Sequence, residues 1–174
     1  MRGPSKYFVS GGAFDGLTER ARFVFALAEQ YAGERRSPEI SPEDVLRGMT
    51  CGGRGVGRAA LEGLGVELVG LLPDIIGLAP VYPERKLPRT LDEMLKVDVE
   101  KLYPEIEMGD GARGCLSGAR ESAASMGHNY VGTEHVLLGL LRVESAAGRF
   151  LRDRGVSFDS AKRAVEGVLF GDET

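Results

Sequence analysis

The chain has 174 residues, 43% of them apolar and 28% charged, with a formal net charge of −4. That composition suits a soluble globule of one domain or two small ones. The negative balance argues against general affinity for nucleic acid or for an anionic membrane surface. Cys51 and Cys115 stand alone, with no Cys-x-x-Cys, which points to a reducing compartment. No apolar run reaches the roughly 18 residues of a membrane span, and the N-terminus lacks an apolar leader core. The expected location is the cytoplasm.

Residues 1–16 are Gly-rich and weakly patterned and read as a tail. A first helix is expected over 18–32. Ala21, Val24, Phe25, Ala28 and Tyr31 or Ala32 fall on one face, Thr18 is the N-cap and Glu19 sits in the first turn. A second helix opens at Ser41-Pro42-Glu43-Asp44, an N-cap serine, a proline at the first helical position and an acid three residues after the cap. Val45, Leu46 and Met49 then point inward. A third helix covers 56–64 and stops at Gly65. A fourth is expected over 67–78, burying Leu68, Leu71, Leu72, Ile75 and Ile76, with Pro73 kinking it or shifting its start. Pro80, Pro83, Pro88 and Pro104 break up the next stretch, where a capping box from Thr90 to Glu93 predicts one short helix over 91–103. Four more helices follow, over 111–126, 133–142, 147–154 and 157–170, with Gly127 and Gly155 as stops. Gly114 and Gly118 weaken the first of them, and close helix–helix approach is the expected compensation.

These elements say one thing twice. Ile40 aligns with Val131, Glu43 with Glu134, Val45 with Val136, Leu46 with Leu137 and Gly48 with Gly139, all at an offset of 91 residues. Ala21 and Ala28 meet Ala112 and Ala119 at the same offset. After a one-residue slip, Leu61 meets Leu151 and Gly65-Val66 meets Gly155-Val156. An internal duplication implies related surfaces about a pseudo-twofold axis. The expected organisation is a tail over 1–16, one four-helix repeat over 17–78, a Pro-containing linker with its short helix over 79–108, a second repeat over 109–170 and a tail over 171–174. The fold class is all-α.

Catalytic signatures are missing. There is no Gly-x-x-x-x-Gly-Lys-Ser/Thr, no His-Glu-x-x-His and no Gly-x-Ser-x-Gly. The glycine-rich run 52–57 follows a helix rather than a strand, so it reads as a loop and not as a dinucleotide fingerprint. His128 and His135, seven apart, lack a third ligand in the pattern and read as capping or packing histidines. No acid pair can be singled out. The expectation is no catalytic residue, no metal and no cofactor. What remains is the start of helix two in each copy. There backbone N–H groups can hold an anion, and Glu43 or Glu134 offers a carboxylate to a cation such as a guanidinium. Alternatively, each glutamate only complements the helix dipole.

The run 127–141, Gly-His-Asn-Tyr-Val-Gly-Thr-Glu-His-Val-Leu-Leu-Gly-Leu-Leu, resembles the signature of the Clp repeat found in the N-terminal domain of Hsp100 AAA+ unfoldases, most like those of ClpC and ClpA type. Leu17-Thr-Glu-Arg-Ala21 resembles the opening of that domain's first repeat, and Arg149-Phe-Leu through Gly155-Val156 its third helix and exit. The likeness covers roughly residues 14–78 and 109–170. It implies tandem four-helix Clp repeats with pseudo-twofold symmetry, here with an extra linker helix and without the ATPase module. It also implies a non-enzymatic module that binds substrates, adaptors or a Clp-family ATPase in protein quality control. In ClpC-type members each repeat can form a phosphoarginine pocket from a threonine opening helix one and the signature glutamate. Carried over, Thr18 and Glu43 match in the first copy. In the second, Thr133, Glu134 and His135 stand in the signature, and Gly109 replaces the opening threonine. The alternative function is a stand-alone sensor of a small phosphoarginine- or arginine-like ligand.

Overall fold

The computed structural model describes residues 14–83 and 106–171. Among these residues the secondary structure is eight helices and two short strands. The first copy holds α1 (Glu19–Glu34), β1 (Glu39–Ile40), α2 (Pro42–Cys51), α3 (Val56–Gly63) and α4 (Leu72–Gly77). The second holds β2 (Glu107–Met108), α5 (Asp110–Ser125), α6 (Thr133–Arg142), α7 (Ala146–Arg152) and α8 (Phe158–Phe170). The expected linker helix over 91–103 lies outside the described residues.

Local chemistry sets the starts of these helices. Thr18 Oγ1 accepts from Ala21 N at 3.2 Å and begins α1, whose buried stripe is Ala21, Val24, Phe25, Ala28, Tyr31 and Ala32. The Ser41–Asp44 capping box begins α2. Helix four shows the shifted start, one of the two effects expected of Pro73. It starts only at Leu72, because Pro73 fits the first turn of a helix and not its interior. Leu68 and Ile75 are buried, but Leu71 and Leu72 are half-buried and Ile76 is 44% exposed. Packing also begins ahead of residue 17, since Phe14 lies against Phe25 with ring centroids 6.0 Å apart.

The two copies are held by matching contacts. β1 pairs in parallel with β2, Ile40 opposite Met108, and Leu17 bridges in parallel to Val131. The 91-residue offset carries Leu17 to Met108 and Ile40 to Val131, so each bridge is the image of the other. That is what a twofold rotation between copies produces. Within each copy the first two helices touch at a glycine. A Cβ on Gly48 would overlap the Val24 carbonyl, and one on Gly139 the Cys115 carbonyl, again equivalent pairs. Gly118 lies against the Gly139 Cα, so its cost in helix propensity is offset by close approach. Where copy two turns out of its first helix at Gly127 (φ 72°), copy one uses Arg36 (φ 62°), the one non-glycine at positive φ among the described residues. α3 crosses onto α6 and α8, and α7 reaches α2. The apolar core is therefore shared between the copies.

Candidate functional site

The starts of α2 and α6 were the candidate positions, and the duplication solves the same capping problem there with different side chains. In copy one Ser41 N donates to Asp44 Oδ2 at 2.8 Å. Asp44, 2% exposed, is held by Arg35 through Nε to Oδ1 at 2.9 Å and Nη2 to Oδ2 at 2.6 Å. Arg35 also donates to the Glu39 and Pro80 carbonyls. In copy two the equivalent third residue is His135, fully buried, and Gly132 N donates to its Nδ1 at 2.9 Å. An Nδ1 that accepts carries no proton, so neutral His135 is protonated at Nε2, which donates to His128 Nδ1 at 2.8 Å. Burial, and then the charge of His128, push the His135 imidazole down to about 4. Tyr130 stacks on His128, with centroids 5.0 Å apart and planes at 9°, and meets His135 edge-on.

Glu134, 3% exposed, lies in this cluster. Burial raises its carboxyl above the ordinary range, opposed by its own backbone N–H, by His128 and by a hydrogen bond from Tyr130. His128, Glu134 and His135 bring three possible metal-ligand atoms within 4.8 Å of one another. The donor set does not suit a cation, however. His135 could ligate only through Nε2, where the Gly132 cap has placed the proton. His135 caps α6 and His128 packs against it, while Glu134 supplies the third ligand-type group that the sequence pattern lacked.

The other candidates interlock the copies. Glu43 Oε1 accepts from Ala147 N, in the first turn of α7, at 3.1 Å. Thr133 Oγ1 accepts from Gly57 N, in the first turn of α3, at 3.2 Å. Gly57 and Ala147 are equivalent, so each helix two caps the other copy's helix three. Copy one uses the glutamate of its helix-two start, copy two the threonine one residue earlier. Thr18 joins the copies as well, its N donating to Val131 O at 2.9 Å. The sequence had grouped Thr18 with Glu43. The backbone instead sets Thr18 beside the segment entering α6, so the seam holds Thr18, Thr133, Glu134 and His135 and leaves Glu43 at the equivalent seam. There Gly109 N donates to Ile40 O, and the Glu39 carboxylate lies against Gly109 where the other seam has a threonine. Sequence reasoning missed Arg35 and Asp44 as a buried pair. It also missed Tyr130, although the alignment of Asp44 with His135 signalled that both sit at a capping position.

A family model for the Clp repeat (R) N-terminal domain matches residues 16–154 and, in a second alignment, 107–170. The chain belongs to the Clp repeat N-terminal domain family. It is 30% identical over 162 residues to the chaperone protein ClpB of Oceanobacillus iheyensis, covering 92% of the chain and 18% of that protein. It is 31% identical over 162 residues to the negative regulator of genetic competence ClpC/MecB of Bacillus subtilis, again covering 92% and 18%. The chain thus spans less than a fifth of the length of these relatives. Among solved structures it resembles the N-terminal domain of ClpD from Arabidopsis thaliana, with a TM-score of 0.64 at 17% identity, covering 92% of this chain and 99% of that one. The Hsp104 N-terminal domain from Candida albicans gives 0.65 at 14% identity, covering 91% and 94%. These likenesses establish the all-α double Clp repeat fold. Among the described residues no helix is long and apolar enough to cross a membrane.

Proposed function

We propose that this Clp repeat domain is a non-catalytic, cytoplasmic docking module that recognises a Clp-family ATPase, its adaptors or its protein substrates. The observation that carries the reading is the seam where Thr18 meets the start of α6. Along it lie the half-buried Thr18 hydroxyl and the exposed ring of Tyr130, which hydrogen-bonds the Glu134 carboxylate, itself 3% exposed. Such a seam offers hydrogen-bonding groups of both signs to a peptide and no nucleophile–base couple. Glu43, Thr133 and His135 serve it by fixing the helix starts.

A photo-crosslinking residue at Tyr130, used in a lysate of the source cells, tests the proposal. Clp ATPases, adaptors or misfolded clients should be captured from Tyr130 and not from the same probe at exposed Arg163. Equal capture from both positions overturns the assignment. A strong thermal shift with arginine or phosphoarginine, lost in Glu134→Ala and without protein capture, would favour the small-ligand sensor instead.

A further inference from the structure

We propose that the outer face of helix four in copy one docks an amphipathic helix of a partner protein, one whose apolar side is flanked by lysines or arginines. Val69, in the turn entering α4, and Leu72, Pro73 and Ile76 on the helix recur at i, i+3, i+4 and i+7, the spacing of a single helical face. The segment already meets the core through other residues, Leu68 and Ile75, which are fully buried. The outer residues are left open. Val69 is 59% and Ile76 44% exposed, Pro73 is exposed and Leu72 is half-buried.

The duplication supplies an internal control. At the offset that matches Gly65-Val66 to Gly155-Val156, the inward positions stay apolar. Leu68 becomes Phe158 and Ile75 becomes Val165, and both of these pack in the core. The outward positions change character. Val69, Leu72, Pro73 and Ile76 become Asp159, Lys162, Arg163 and Glu166, a solvated face. The fold therefore does not require apolar side chains there. An exposed apolar stripe that folding does not need marks a contact surface.

Charge selects the occupant. Residues 59–83 contain Glu62, Glu67 and Asp74 and no lysine, arginine or histidine. Glu62 is paired with Arg58. The Glu67 side chain has no ion pair or hydrogen bond among the described residues, and Asp74 is 64% exposed with Arg154 at 3.7 Å. A second copy docked through its own α4 about a twofold axis would set these acids against their images. An anionic bilayer would be repelled by them as well. A partner with cations beside its apolar anchors is matched. The shape points to a helix. The backbone of α4 is closed by its own hydrogen bonds and Pro73 has no N–H, so nothing here extends a sheet, whereas a convex ridge packs into the groove of another helix. The face shares no residue with the Tyr130 seam and stands whether or not that seam docks Clp proteins.

The test uses the full chain and three fluorescent peptides of about 18 residues each. The first is an amphipathic helix of leucines flanked by lysines. The second has the same residues scrambled so that the leucines share no face, and the third has glutamates in place of the lysines. Saturable anisotropy is expected with the first, at least about tenfold tighter than with either of the others. Val69→Asp and Ile76→Glu, which install the copy-two residues at exposed positions, should each weaken that binding about tenfold, and Arg163→Ala should not. Amide shifts in the nitrogen-15-labelled chain should centre on residues 67–78. No saturable binding, equal binding of the scrambled or glutamate peptide, or variants that bind like the parent would overturn the proposal. So would a concentration-dependent dimer that Ile76→Glu abolishes, because the face would then belong to a second copy.

Discussion

His135 ties the stability of copy two to pH. Its Nδ1 must stay unprotonated to accept from Gly132 N, and its pKa in the folded chain is about 4 against 6.5 in the free side chain. A depressed pKa means that the unfolded chain takes up the proton first as pH falls. The stabilisation is complete above 6.5, is lost progressively below it, and levels off near 4, where the folded state also protonates. For these two values, the loss between pH 8 and pH 5 is about 2 kcal/mol, approaching about 3 kcal/mol below pH 4. The side chain is fully buried, so solvent screening takes little from that figure. The assay is urea unfolding at pH 8, 6.5 and 5 for the parent and for His135→Asn. The asparagine keeps an acceptor for Gly132 N but does not titrate. The parent should lose about 2 kcal/mol more than the variant over this range. Parallel losses in the two proteins would refute the reasoning, as would a His135 carbon or nitrogen resonance titrating near 6.5.

Other residues give sharper contrasts. Gly139→Ala puts a methyl into the Cys115 carbonyl and within 2.6 Å of Ala119 N, so α5 and α6 must separate. It should cost about 2 kcal/mol or more in chemical denaturation despite its gain in helix propensity. Gly63→Ala, with nothing within 4 Å, should be neutral or stabilising by up to about 1 kcal/mol. Asp44→Ala strands the Arg35 guanidinium and should lose about 3–5 kcal/mol, measured the same way. In the native chain a thiol reagent should modify exposed Cys51 quickly. It should reach Cys115, whose thiol burial and the nearby Glu43 charge push up to about 12, only after denaturant is added.

The sequence carried local order well and contacts between the copies poorly. The α1 stripe and the Ser-Pro-Glu-Asp start of α2 are short-range signals, and the helices form where those signals lie. In helix four the periodicity of Leu68, Leu71, Leu72 and Ile75 runs back to residue 67, whereas Pro73 allows a shifted start, and the helix begins at Leu72. The Arg35–Asp44 pair spans a helix end and a turn, nine residues with no period to reveal it. Glu43 with Ala147 and Thr133 with Gly57 are separated by 104 and 76 residues, and no local pattern encodes such contacts. The resemblance named these glutamates and threonines as binding groups, but it could not show that Glu43 and Thr133 already cap a helix in the opposite copy.

That interlocking explains how the two copies diverged without losing their symmetry. A twofold arrangement constrains which backbone groups need a partner: the N–H at each helix-two cap and the first-turn N–H of each helix three. It does not constrain which atom supplies the acceptor. A carboxylate held by Arg35 serves one cap and an imidazole held by His128 the other. A glutamate caps one helix three and a threonine hydroxyl the other. Side chains outside these duties could then change independently, and the outer face of helix four shows the result. Where copy two has Asp159, Lys162, Arg163 and Glu166, copy one has Val69, Leu72, Pro73 and Ile76. Any asymmetry of partner preference in this domain should therefore map to positions outside the shared hydrogen-bond frame, with Val69 and Ile76 first among them.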